Sequence, residues 1–246
     1  MRLTRYILFL FISALSLSAG AETYVVSVGI AKYQNISGLV LPENDAKTIA
    51  KLYKTRTRNV ITITGRYATR SNIIKALKDQ FSRAKKDDMV VFFFSGHGFA
   101  GGFCPYDMSK KYENALSYND IYSIFRQSKA TRKVVIADAC LSGGLRKEGP
   151  NHKHGSANKS SDVVMFLSSR SKESSIENRR MTNGFFTAFL DRGLRGGADT
   201  NRDKVITARE IFDFVSNGVR KLSKNRQHPV MWGNFDDNFI MIDWRK

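Results

Sequence analysis

The sequence predicts an α/β domain in three layers, with a mostly parallel central sheet of about six strands flanked by helices. Short runs rich in Val, Ile and Phe alternate along the 246 residues with segments whose apolar residues recur at helical spacing. Two of these runs, within 89–98 and 133–144, begin with uninterrupted apolar residues, which is typical of strands buried on both faces. Polar residues and glycines follow both runs, so we expect the chemistry where these strands end.

The first half of the chain contains three predicted strands and two predicted helices. The strands cover 23–30, 60–64 and the apolar run that starts at Met89. The first helix is predicted near 43–54, and Ser71 is predicted to cap the second. The expected buried stripe of this second helix is Ile74, Leu77, Phe81 and Ala84. Right-handed crossovers between the strands would bring their ends to one edge of the sheet.

The second half starts with a Gly-rich loop at 98–106, followed by a helix that Ser117 caps with Asp120 three residues later. The polar stretch 145–161 is predicted to be an exposed linker. The remaining predicted elements are a strand at 163–167, a helix burying Phe185 to Leu194, a helix at 208–222, and strands at 230–232 and 239–242. The last helix is expected to bury Ile211, Phe214, Val215 and Leu222.

Residues 1–21 have the features of a secretory signal peptide. Arg2 and Arg5 precede the apolar run 6–17, and 19–21 read Ala-Gly-Ala, a small-residue cleavage pattern. The run is too short to span a bilayer comfortably, although an uncleaved anchor is the alternative. We therefore expect cleavage before Glu22, export to the periplasm or the medium, a mature domain at 22–246 and no transmembrane segment after signal removal.

The formal net charge is +18, and it falls to +16 when the signal segment is removed. Such a field favours an anionic surface or polymer as a partner. The basic residues are scattered without one dense block, so an ordinary solvated surface is the alternative, and no specific nucleic-acid partner is predicted.

Cys140 and His97 are the predicted catalytic pair. A cysteine attacks a carbonyl only as thiolate, and because its free pKa is about 8.5 a neighbouring imidazole has to take the proton. His97 is the expected base, and the backbone N–H groups of Gly98 and Cys140 are expected to hold the oxyanion. A disulfide between Cys104 and Cys140 is an alternative for an exported protein, either at rest or as a redox lock.

The two strand ends resemble a known family. SGHG at 95–98 and DACLSGG at 138–144 look like the His and Cys motifs of caspase-like cysteine peptidases, in the bacterial caspase-domain and metacaspase branch. Similar stretches elsewhere are VGIAKY at 28–33, ENDA at 43–46, SSR at 168–170 and NGFF at 183–186. The resemblance implies a caspase-like fold and an endopeptidase with a large-subunit-like part at 22–145, a linker at 146–161 and a small-subunit-like part at 162–246. No third catalytic residue is identifiable, and Leu141 departs from the usual metacaspase motif.

The resemblance also implies a substrate class. Metacaspases carry aspartates at the positions of Asp45 and Asp138 and cut after Arg or Lys, and two carboxylates would indeed pair with a basic P1 side chain. Ser168 joins them as an expected substrate-binding residue. The alternative for Asp138 is that it only orders its loop by accepting backbone N–H groups. The alternative function is a non-catalytic protein of the same fold that binds an anionic polymer.

The linker contains four basic residues at which the enzyme could cut itself, namely Arg146, Lys147, Lys153 and Lys159. Such a cut would separate a large piece from a small one.

No cofactor is expected apart from a weak candidate for Ca²⁺. Asp199, Asn201, Asp203 and Glu210 follow the spacing of a calcium loop, but Lys204 stands where the sharp turn favours Gly. Thr207 and Glu210 equally fit a capping box for the following helix.

Overall fold

The structure is a computed structural model, and it describes residues 20–99, 101–139, 163–169, 181–233, 236 and 238–245. Five helices lie within these residues: α1 Pro42–Lys54, α2 Arg70–Phe81, α3 Tyr118–Gln127, α4 Phe185–Arg192 and α5 Ala208–Leu222. Six strands form the main sheet: β1 Thr23–Gly29, β2 Val60–Thr64, β3 Met89–Ser95, β7 Arg132–Asp138, β8 Val163–Leu167 and β10 Val230–Trp232. The remaining strands are short: β4 Gly98–Phe99, β5 Gly102–Phe103, β6 Leu116–Ser117, β9 Val205–Thr207 and β11 Ile240–Asp243.

The main sheet has the order β10-β8-β7-β3-β1-β2, and only β10 runs antiparallel to its neighbour. The parallel register places Gly29 beside Ser95 and Ser95 beside Asp138. Three neighbouring strands therefore end together, at one edge of the sheet. This confirms the predicted α/β fold with a mostly parallel sheet of about six strands.

Helices cover both faces of the sheet, as the uninterrupted apolar strands require. One core lies between the sheet and helices α2 and α3, with fully buried Phe92 and Phe94 at its centre. The other lies between the sheet and helices α1, α4 and α5, around Val91 and Phe93. Alternate residues of β3 thus enter opposite cores, which explains why its sequence shows no polar face.

Three predictions for helices α2 and α5 need correction. Thr69, not Ser71, caps α2, because its hydroxyl accepts the N–H of Asn72. Ile73 is fully buried in that helix, whereas Ile74 is only partly buried. On α5, Leu222 is 47% exposed because it ends the helix, and Val219 is buried instead.

Of the short strands, β4, β5, β6 and β9 were not predicted. In the Gly-rich loop after His97, β4 and β5 pair with each other, and β6 completes a small antiparallel sheet in the order β4-β5-β6. The predicted last strand, β11, pairs with β9 in a separate two-stranded sheet and does not extend the main one. Within the described residues, no helix is long and apolar enough to cross a membrane.

Candidate active site

Two backbone hydrogen bonds join the strand ends at the edge of the sheet that follows β1, β3 and β7. The amide of Ile30, after β1, donates to the carbonyl of Ser95 at 3.0 Å. The amide of Gly96 donates to the carbonyl of Asp138 at 3.2 Å. The SGHG motif is therefore fixed directly against the strand that leads to Cys140.

His97 is half-buried, and its ring has a defined partner. Its Nε2 lies 3.0 Å from the carbonyl oxygen of Ser37, in the loop between β1 and α1. A carbonyl oxygen can only accept a hydrogen bond, so the neutral imidazole carries its proton on Nε2. The lone pair is then on Nδ1, and this nitrogen is the one that can accept a proton from a nucleophile.

Tyr33, in the same loop, holds the backbone of His97. Its hydroxyl accepts the N–H of His97 at 2.7 Å, and the two rings lie 5.1 Å apart between centroids. A Cβ on Gly96 would come within 2.6 Å of that hydroxyl, so the close approach requires glycine there. The loop after β1 thus fixes His97 at its backbone and at its ring.

Gly98 begins β4 and faces Phe103 of β5. The amide of Cys104 donates to the carbonyl of His97 at 2.9 Å, so Gly98 and Phe103 form a non-hydrogen-bonded pair. The N–H of Gly98 therefore takes no part in the hydrogen bonds between these two strands. This geometry is compatible with an oxyanion donor.

Cys140 lies outside the described residues, as do Leu141 and the linker 146–161. Ala139, directly before Cys140, is described, and its carbonyl accepts the hydroxyl of Ser168 at 3.3 Å. Ser168 is fully buried, and this hydrogen bond supports the segment before Cys140, while its contact with the substrate stays a prediction. A further buried contact supports this position, since the side chain of Gln227 donates to the carbonyl of Ser168 at 2.9 Å.

The second cysteine, Cys104, is a free and buried thiol. Burial raises its pKa to about 12, so it carries almost no thiolate at neutral pH. We therefore do not expect Cys104 to act as the nucleophile.

Asp45 lies in the first turn of α1 and is only 2% exposed. Its Oδ2 accepts the hydroxyl of Ser95 at 2.8 Å. Its Oδ1 accepts the side-chain amide of Asn183 at 2.9 Å and the backbone N–H of Gly184 at 3.0 Å. A carboxylate of the first half of the chain is thus held by residues of the second half.

Asp138 ends β7 and is 7% exposed. Its Oδ2 accepts the hydroxyl of Thr187 at 2.8 Å and the N–H of Thr187 at 3.3 Å, in the first turn of α4. A Cβ on Gly184 would come within 2.7 Å of this Oδ2 and 3.5 Å of Oδ2 of Asp45. The two carboxylates therefore converge on Gly184. The bonds to Thr187 connect Asp138 to α4 and are also of the kind expected if Asp138 has an ordering role.

The two carboxylates influence each other. Burial is the larger cause and the charge of Asp138 the second, and together they raise the pKa of Asp45 from 3.8 to about 7. The hydrogen bonds from Asn183, Ser95 and Gly184 act in the opposite direction. Asp45 is therefore partly protonated at neutral pH, and a cation bound nearby would lower its pKa.

The residues of the candidate calcium loop form hydrogen bonds within the loop and at the start of α5. Both carboxylate oxygens of Asp199 accept backbone N–H groups, from Asp203 and Lys204, at 3.1 and 3.0 Å. Thr207 and Glu210 form the capping box of α5. Within the described residues there is no group of three or more His, Cys, Asp or Glu side chains arranged to hold a metal. Calcium binding by this loop stays a prediction.

The structure adds four residues to the candidate site that the sequence analysis did not identify, namely Tyr33, Ser37, Asn183 and Thr187. Nothing in the sequence marks the role of Ser37, because it acts through its backbone carbonyl and every residue has a backbone carbonyl. Tyr33 stands in the stretch VGIAKY and Asn183 in NGFF, and Thr187 follows directly after NGFF. For Tyr33 and Asn183, membership of these two stretches was the clue that the sequence offered.

The comparisons with known proteins agree with this architecture. The sequence model of the caspase domain, a C14 peptidase family, matches residues 23–240. No curated protein matches the chain in sequence. The crystal structure of a protein from Geobacter sulfurreducens matches with a TM-score of 0.68 at 16% identity, covering 89% of this chain and 96% of the other. That likeness supports the fold, and the family match covers most of the sequence. The chain belongs to the caspase domain family of cysteine peptidases.

Proposed function

We propose that the chain is an exported cysteine endopeptidase that cleaves peptide bonds after Arg or Lys. The observation that carries this proposal is the fixed ring of His97. Because the carbonyl of Ser37 accepts a hydrogen bond from the Nε2–H of His97, Nδ1 is left as a base at the edge of the sheet where the Cys140 strand also ends.

In the proposed reaction the Cys140 thiol gives its proton to Nδ1 of His97, and the sulfur attacks the substrate carbonyl carbon. The carbonyl electron pair moves to the oxygen, which accepts the N–H groups of Gly98 and Cys140. When the oxyanion collapses, the C–N bond breaks and the amine leaves with the proton from His97. Water then attacks the thioester, His97 takes its proton, and the sulfur recovers that proton as it leaves.

The specificity proposal rests on the carboxylates of Asp45 and Asp138. Both are buried, and among the described residues no Lys or Arg forms an ion pair with Asp45. A guanidinium or ammonium from a P1 residue would supply the missing positive charge, while an acidic P1 residue would add a third negative charge. Ser168 supports this site through its hydrogen bond to Ala139, and its direct contact with the substrate stays a prediction.

A fluorogenic peptide panel with Arg, Lys, Asp or Leu at P1 tests the proposal. We expect turnover after Arg and Lys in the wild type and none in Cys140→Ala or His97→Ala. Cys104→Ala is the matched control, because its buried thiol should not contribute, and it should retain activity. Turnover of Asp substrates without Arg or Lys turnover would overturn the specificity, and equal turnover in Cys140→Ala would overturn the mechanism.

The same proteins test the non-catalytic alternative. If the wild type shows no turnover of any substrate but binds heparin in a salt-dependent manner, the basic surface is the functional feature and the peptidase proposal fails. If only the cysteine-dependent turnover is found, the alternative fails.

A further inference from the structure

Glu22 is the first residue of the described chain with several contacts to the domain. Its backbone N–H donates to Oδ1 of Asp88 at 2.8 Å, and its carbonyl accepts the N–H of Met89 at 2.8 Å. Its carboxylate accepts the side chains of Thr57 and Asn59, each at 3.3 Å. Glu22 is thus attached at its nitrogen, its carbonyl and its side chain.

The two residues before Glu22 differ from it. Gly20 and Ala21 are exposed and make no hydrogen bond to the rest of the described chain, and a Cβ on Gly20 would meet nothing within 4 Å. Within the described residues, the change from residues without such contacts to an attached residue falls at the peptide bond between Ala21 and Glu22. The sequence predicts signal cleavage at this same bond.

Asp88 is suited to receive a charged nitrogen. It is 5% exposed, and its Oδ2 is already occupied by the N–H of Lys85 at 2.7 Å, so Oδ1 is directed at Glu22. Among the described residues no Lys or Arg side chain forms an ion pair with it. A buried carboxylate gains more from a nearby positive charge than an exposed one.

From these observations we propose that Asp88 is the receiving site for the free α-ammonium that forms at Glu22 when the chain is cut after Ala21. Cleavage replaces an amide N–H by an ammonium group at a position already within hydrogen-bond distance of the carboxylate. The hydrogen bond from a neutral amide to the carboxylate becomes an ion pair between an ammonium and the carboxylate, so removal of the signal segment stabilises the mature domain. This inference depends on the export part of the proposed function but not on the peptidase activity.

The pH dependence has a defined sign. An α-amino group has a free pKa of about 7.7–8.0, and the Asp88 carboxylate would raise it in the folded protein. The stabilisation is therefore fully present below about pH 7.7 and is lost as the pH rises through the folded value. Other charged groups act at the same place and must remain unchanged in the test, namely the Glu22 carboxylate, Asp87, Arg83 and Arg132, together with the phenol of Tyr24.

The test compares two chains, both in the Cys140→Ala background so that neither can cut itself. One begins at Glu22 and the other at Gly20, and each is released from a fusion partner with no added residue. In the longer chain the nitrogen of Glu22 stays an amide, so the two differ in the charge next to Asp88. We expect the chain starting at Glu22 to melt about 3 °C higher at pH 7, with the difference disappearing above about pH 10.

Asp88→Asn in both chains completes a double-mutant cycle. A loss of stability that both chains share cancels in the comparison, so only the coupling between Asp88 and the ammonium remains. The difference between the two chains should vanish in the Asn pair. Equal melting temperatures at pH 7 with Asp88 present, or a difference unaffected by pH, would refute the ion pair even if the Asn variants failed to fold.

The position of the cut is tested separately. Expressed in full length in a bacterium that exports it, the protein should have Glu22 as its first residue by mass spectrometry of the N-terminal peptide. A different first residue, or an intact precursor, would overturn the processing step. Neither result would alter the peptide-panel test of the peptidase.

Discussion

Replacement of Asp45 by Asn should change how the stability of the protein depends on pH. Asp45 is buried with the charge of Asp138 as a neighbour, and its pKa is raised from 3.8 to about 7. Asn has nearly the same shape but cannot ionise. The variant therefore removes the titration of this carboxyl while keeping the space filled.

The size of the effect follows from the pKa shift. A raised pKa means that the group stabilises the folded state fully below pH 3.8 and that this stabilisation is lost as the pH rises through about 7. Because each pKa unit is worth about 1.4 kcal/mol, a rise of this size corresponds to about 4 kcal/mol between pH 4 and pH 8. The Asp45→Asn change would also replace one carboxylate oxygen by an NH2 group near the donors of Asn183 and Gly184, so hydrogen bonding at this site is weakened. That loss is the same at every pH, so only the change with pH is diagnostic.

Urea unfolding of the wild type and of Asp45→Asn, at several pH values from 4 to 8, measures the effect. We expect the free energy of unfolding of the variant, relative to that of the wild type, to increase by about 4 kcal/mol over this range. Glu43→Gln is the matched control in the same helix turn, because the Glu43 carboxylate lies beside Gly65 and away from the pair; it should follow the wild-type curve. Parallel curves for the wild type and Asp45→Asn would refute the account of two coupled buried carboxylates.

Three further changes test individual contacts. Tyr33→Phe removes the acceptor of the His97 N–H, and kcat toward an Arg substrate should fall about tenfold with KM unchanged; an unchanged kcat would show that the hydroxyl does not position the ring. Gly184→Ala should lower the melting temperature and abolish cleavage after Arg, because its Cβ meets the carboxylates, and a stable, active variant would contradict this packing. Thr207→Ala removes a capping box and should cost about 1 kcal/mol in the free energy of unfolding, measured in urea; a loss below about 0.3 kcal/mol would exclude a role for the cap. Purified wild type should fragment within 146–161 during storage while Cys140→Ala stays intact, as mass spectrometry would show, and a wild type that never fragments would remove the self-cleavage prediction.

Features with a strong local signal were predictable from the sequence. The Ser117 cap was correct because a hydroxyl with a carboxylate three residues later is a local arrangement, and both hydrogen bonds are present. The strand 60–64 was correct at both ends because its β-branched residues stand between polar turns. His97 and Asp138 were placed at neighbouring strand ends because parallel strands share one edge.

Features that depend on distant contacts were not predictable. Ser71 and Thr69 are equivalent as local caps, and the choice of Thr69 coincides with a tertiary hydrogen bond from the N–H of Arg70 to Asp107. The strands β4, β5 and β6 have two residues each, too few for any periodicity. The burial of Ser168 comes from contacts with Ala139 and Gln227, which are far away in the sequence.

The most direct test of the central claim is to label the purified protein with an arginyl chloromethyl ketone and to map the modified residue by peptide mass spectrometry. The account predicts one modification, on Cys140, lost in His97→Ala and strongly reduced in Asp45→Asn. Cys104 serves as an internal control, because its buried thiol has a pKa of about 12 and should stay unmodified. Labelling of Cys104, no labelling at all, or equal labelling by an aspartyl reagent would contradict a cysteine peptidase that recognises a basic residue through this pair of carboxylates.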